Sequence, residues 1–145
     1  MNLPLHPFFV HLPIGFLVGA LILHTVHLLR PNWICRVIGL WLTGLSGVSS
    51  LFASITGQWE FTKTESKDYS QEIVQVLEKH QLMGNIVTWG TIIFFVIWLN
   101  MYFKKMDDHR IDKVAFFILF ILVGLVLFTA YLGGTLVWKF GVGIK

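Results

Sequence analysis

The sequence predicts an all-α integral membrane protein, a four-helix transmembrane bundle with both termini outside, which in a bacterium is the periplasmic side of the inner membrane. Three observations predict it. The chain is 55% hydrophobic and 13% charged, with mean hydropathy +0.71, whereas a soluble domain carries about 25% charged residues. Four apolar segments each reach the roughly 20 residues that cross a hydrocarbon core of about 30 Å. These segments run without polar alternation, and in lipid only helices or closed barrels satisfy their own backbone. The 145 residues suit a single domain over 1–145.

The elements follow in order. The stretch from Met1 to Leu5 has no Lys or Arg, so it lacks the positive region of a secretory signal, and the apolar run after it is a retained helix over residues 8–29. Arg30, Pro31, Asn32 and Trp33 make a tight turn into helix two, residues 34–56, which forms an antiparallel hairpin with helix one. The long connection, Gly57 to Lys79, ends in helical pattern. Asp68 and Gln71 have capping-box spacing, and Tyr69, Ile73, Val76, Leu77 and His80 form a helical stripe. Helix three therefore spans residues 69–103, with its membrane part from 82. The connection from Lys104 to Lys113 is short, charged and expected to be exposed. Helix four spans residues 114–137. No tandem repeat or low-complexity segment is evident. A lone cysteine, Cys35, excludes an internal disulfide and suits packing.

Basic residues set the orientation. Arg30, Arg36, Lys104, Lys105, Arg110 and Lys113 crowd two compact connections on one side. Lys63, Lys67 and Lys79 are diluted by acidic residues on the other, which makes the side of the termini the outer one. Trp33 and Trp98 are expected to anchor at the inner interface, and Trp59 and Trp138 at the outer. Phe94, Phe95, Phe116, Phe117 and Phe120 are expected on exposed faces of helices three and four. Small residues mark helix contacts: Gly15 and Gly19 in helix one, Gly44, Gly47, Ser50 and Ser54 in helix two, Gly124 in helix four. A net charge of +3, scattered along the chain, argues against nucleic acid as a partner.

Chemistry must come from histidine. Apart from Arg36, the membrane segments hold no Asp, Glu, Lys or Arg in their middle, which disfavours an ion-coupled pump. There is no Ser–His–Asp set, no phosphate loop and no Cys/His zinc spacing, so a self-contained enzyme is the weakest reading. His11 and His80 fall at one depth, near the outer ends of helices one and three. Each is followed four residues later by glycine, Gly15 and Gly84, on the same helix face. This pattern points both imidazoles into a packed seam with room one turn deeper. It suits axial ligation of a haem iron by His11 and His80. A copper or zinc site from His6, His11 and His80 is a second possibility, and a quinone site a third. A plain hydrogen bond to a backbone carbonyl or a neighbouring helix accounts for each histidine without any cofactor. His24 and His27 lie at the other end of helix one and are expected to meet headgroups or another subunit. His109 falls in a loop.

These residues carry a resemblance. The opening HPFFVHLPIGFLVGA resembles the HPxxVHFPI start of a family of small bacterial membrane proteins catalogued as domain of unknown function 2231. Gly57 and Trp59, His80 and Asn85, and the ending LGGTLVWKFGVGI with Gly133, Gly134, Gly141 and Gly143 match in order. Leu12 stands where the family has an aromatic residue. The resemblance implies a four-helix membrane protein and a haem or redox association, with the site at the end where the motif positions cluster. Two functions are therefore expected. One is an electron-transfer protein of b-type cytochrome character, its haem b near the periplasmic face between helices one and three, its partners quinol or a periplasmic redox carrier. The other is a cofactor-free structural or accessory subunit of a larger membrane complex. A metal-handling role for the same histidines is a third.

Overall fold

The computed structural model describes residues 5–65, 69–104 and 108–143. Among these residues the chain forms four helices and no strand: α1 (Leu5–Leu29), α2 (Trp33–Glu65), α3 (Gln71–Lys104) and α4 (His109–Trp138). All four are long and apolar enough to cross a membrane.

Caps, rather than loss of hydrophobicity, decide where these helices start. Asn32 Oδ1 accepts the N–H groups of Ile34 and Cys35 and so opens α2. The Asp108 carboxylate accepts the Arg110 N–H and opens α4 at His109 instead of 114. The last part of the connection expected to be exposed is therefore helical. α3 starts at Gln71, where the Ser70 carbonyl accepts from Ile73 and Val74; Asp68, of the expected capping box, lies outside the described residues. α2 runs on past Thr56 to Glu65, because a helix leaving the membrane still satisfies its backbone internally.

The helices form a ring. α1 packs on α2, α2 on α3, α3 on α4, and α4 closes on α1. Leu17, Ala20, Leu40, Phe94, Trp98 and Leu119 fill the interior, while Ile22, Ile93, Phe117 and Phe120 face outward. Glycines allow close approach at some seams: a Cβ on Gly44 would stand 2.8 Å from the Phe95 ring, and one on Gly47 3.2 Å from Ile92. The expected Gly15–Gly19 pair divides. Gly19 faces Leu42, whereas Gly15 has nothing within 4 Å. Two aromatic expectations are also corrected. Trp98 is 1% exposed and stacks on buried Phe94, so neither lies at an interface or on an outer face. Trp33, Trp59 and Trp138 are exposed.

No repeat is visible in the sequence, yet matching positions of the two hairpins meet. Trp33 and His109 open α2 and α4. Three residues on, Arg36 and Asp112 are both buried, and they meet. His6 in α1 and His80 in α3 meet across the bundle. Eighteen residues after each, His24 and Trp98 also meet, again edge to face. Buried Thr43, Ser46 and Ser50 of α2 correspond to buried Leu119, Leu122 and Val126 of α4. The bundle thus has an approximate two-fold axis along its length. Burial kept the repeat while residue identity did not.

Candidate functional site

At the end of the bundle that holds the N-terminus, His6 and His80 approach across the axis. Their ring centres are 6.0 Å apart with the planes at 83°. The two imidazoles are held in matching ways. His6 Nδ1 donates to the Ala53 carbonyl on α2 at 3.0 Å, and His80 Nδ1 donates to the Thr129 carbonyl on α4 at 3.0 Å. Four residues past each carbonyl stands a glycine. A Cβ on Gly57 would lie 2.9 Å from His6 Cε1, and one on Gly133 would lie 3.0 Å from His80 Cε1. Each ring therefore rests on backbone that only glycine leaves bare. A carbonyl can only accept, so both Nδ1 atoms carry the proton and both Nε2 atoms are acceptors. Among the described residues no hydrogen bond reaches either Nε2.

The structure pairs His80 with His6 and separates it from His11. The His11 ring is exposed and turns back to the Pro7 carbonyl of its own helix. Five residues separate His6 from His11, which puts them on nearly opposite faces at about 100° per residue. Gly15, expected to make room beside His11, shares its outward face. Gly84 does face the bundle, 4.0 Å from Thr129 by its would-be Cβ. Among the described residues no three His, Cys, Asp or Glu side chains could hold a metal ion, which removes the three-histidine copper or zinc site. Asn85 accepts from Ser54 at 3.0 Å and ties α3 to α2.

The opposite end holds residues that sequence reasoning assigned elsewhere. His24 is 0% exposed and Asp112 2%, so His24 and His27 do not face headgroups. Arg36 Nε donates to Asp112 Oδ1 at 2.7 Å. His27 Nε2 lies 3.4 Å from Asp112 Oδ2. His24 Nε2 donates to the Asp112 backbone carbonyl at 2.8 Å, and its ring meets Trp98 edge to face at 5.0 Å. The Arg36 guanidinium lies over the Tyr102 ring at 5.0 Å. All four helices contribute to this cluster. Asp112 had a legible signal: carried back from Leu119 and Ala115, the buried stripe of α4 reaches it.

A family model described as a predicted membrane protein (DUF2231) matches residues 2–145. No curated protein and no solved structure matches the chain.

Proposed function

Because the chain belongs to the DUF2231 family of predicted membrane proteins, and because two facing histidines share one end of its bundle axis, we propose that it is a cofactor-binding membrane protein of electron transfer, with His6 and His80 as the axial ligands of haem b. The observation that carries this reading is the matched anchoring of the two rings. Histidines that ligate a metal usually donate their other N–H to a carbonyl or carboxylate, which fixes the tautomer and the ring plane. Here both Nδ1 atoms are committed to carbonyls, and among the described residues both Nε2 atoms are left.

Distance supports the same reading. Metal–imidazole bonds are about 2.0–2.1 Å long, so two rings that would hold one ion between them have centres about 6–6.5 Å apart. The observed separation is 6.0 Å. Two donors suffice for haem, whose macrocycle supplies the four equatorial nitrogens; they do not complete the four-coordinate site that zinc prefers. The bound group would supply one-electron chemistry. The chain's own residues hold the two imidazoles, through Ala53 and Thr129, and give them space at Gly57 and Gly133. With the termini on the periplasmic side, the site would lie near that face, within reach of quinol or a periplasmic carrier.

An absorption spectrum of the detergent-purified protein, oxidised and dithionite-reduced, tests this. A Soret band with sharp reduced α and β bands is expected. His6→Ala and His80→Ala should each abolish it, while His11→Ala should retain it. A protein still colourless after incubation with haemin overturns the reading and leaves the accessory subunit in its place.

A further inference from the structure

We propose that the seam between α3 and α4 binds one acyl chain of an anionic phospholipid, with Lys104 and Arg110 holding its phosphate. The site lies on the outer face of the bundle and does not depend on the haem reading.

The seam opens as a groove of about 260 Å³. Phe94, Trp98 and Ala115 are buried in its floor, while Ile93, Ile97 and Val114 form its rims and are each about half exposed. Apart from the Trp98 indole, every side chain along it is wholly apolar, so it offers a surface to a hydrocarbon chain and not to a headgroup. On α3 it runs from Gly90 to Met101. At 1.5 Å per residue that is about 16 Å, half of a hydrocarbon core of about 30 Å. One acyl chain of one leaflet occupies this depth.

The charge at the mouth fits the other end of such a lipid. α3 ends at Lys104, just past the groove. Lys104 stands seven residues after Ile97 and eleven after Ile93, so at about 100° per residue it continues their line. Arg110 stands one turn before Val114 on α4. Both side chains are exposed. Among the described residues no ion pair engages either of them. Asp108 accepts the Arg110 N–H as the cap of α4, and Asp112 is buried against Arg36. Two cations thus stand where the phosphate of a chain lying in the groove would emerge.

The first hairpin shows that the seam need not open. Its matching positions bring α1 and α2 close: a Cβ on Gly19 would stand 3.3 Å from Leu42, and one on Gly39 3.4 Å from the Ala20 carbonyl. Ile93 and Ala115 take the places of these two glycines in the second hairpin, and their bulk holds α3 and α4 apart. The basic pair goes with the opening. Arg30 matches Lys104, but Ile34 stands where α4 has Arg110.

The test is native mass spectrometry of the full-length protein in detergent, titrated with dioleoyl phosphatidylglycerol or dioleoyl phosphatidylcholine. Phosphatidylglycerol should bind about thirtyfold more tightly, from about fivefold for each basic side chain near the phosphate. Lys104→Gln and Arg110→Gln should each lose about fivefold of that preference. Lys113→Gln, equally exposed but nearly opposite Ile111 on α4, should lose none. Ile97→Trp fills the groove from α3 and should weaken phosphatidylglycerol binding with the basic pair intact; Val114→Trp does the same from α4 and serves if the first variant does not fold. Equal affinity for the two lipids overturns the proposal. An equal loss in Lys113→Gln also overturns it, because surface charge alone then explains the preference. Binding unchanged in both tryptophan variants removes the groove from the site, and a dimer that those variants disperse assigns it to a second copy of the chain instead.

Discussion

Burying Arg36 and Asp112 costs each of them its hydration, and the 2.7 Å contact between them offsets that loss. Removing one partner is therefore far worse than removing both. Asp112→Ala should cost about 3–5 kcal/mol, because it takes the carboxylate from beside a buried guanidinium, whereas Arg36→Met with Asp112→Leu should lose much less. A double-mutant cycle on stability in detergent checks this. The glycines make a second prediction at this scale. Gly57→Ala or Gly133→Ala drives a Cβ to about 3 Å from a histidine ring, and overpacking of this kind costs about 1–3 kcal/mol. Each should weaken any haem spectrum by pushing the ring off its carbonyl. Gly15→Ala, with nothing within 4 Å, should leave stability unchanged or raise it by up to about 1 kcal/mol through helix propensity. Thermal unfolding beside the absorption spectrum separates the two cases. The motif residues His6, Gly57, His80 and Gly133 were each legible in the sequence. That His6, not His11, is the partner of His80 was not.

The reason lies at the scale of the helix. In water, a polar face marks the outside of a helix. In lipid both faces are apolar, so periodicity offers several candidate inward faces. Gly15 and Gly19 selected the one that carries His11. The face that packs runs through His6, Pro13, Leu17, Ala20, His24 and His27, and four of these after Pro13 are buried with it. Large residues mark this seam, and small ones mark the α2 side of it. The start of α4 is hidden in the sequence for a related reason: the charge in 104–113 reads as a loop, although Asp108 and Asp112 are a cap and a core residue of one helix. The cap carries a prediction. Asp108→Ala removes the acceptor of the Arg110 N–H and should cost about 0.5–2 kcal/mol. Fraying there loosens Asp112, so faster hydrogen exchange should appear at the first turn of α4 and spread to the amides around Arg36. Exchange confined to Arg110 would show that the cap and the ion pair are independent.

Across the whole molecule, four crossings place both termini on one side of the membrane whichever side that is. The basic connections favour the outer side. Epitope tags at the two ends should then both be removed by protease added to intact spheroplasts; protection of both would reverse the orientation, and cleavage of one would contradict four crossings. The ring of helices and its approximate two-fold axis explain why functional candidates sit in pairs at two depths. A position on the axis meets its own counterpart from the other hairpin, as His6 meets His80, His24 meets Trp98 and Arg36 meets Asp112.

Composition and segment length by themselves determined the membrane, the helix number and the hairpin order, because lipid leaves an apolar segment of this length almost no other backbone solution. Tertiary structure alone decided which histidines meet, that Asp112 is buried, and that matching positions of the two hairpins meet. Those facts depend on the rotation of each helix about its own axis, and rotation is set by the side chains of neighbouring helices rather than by any segment's own pattern.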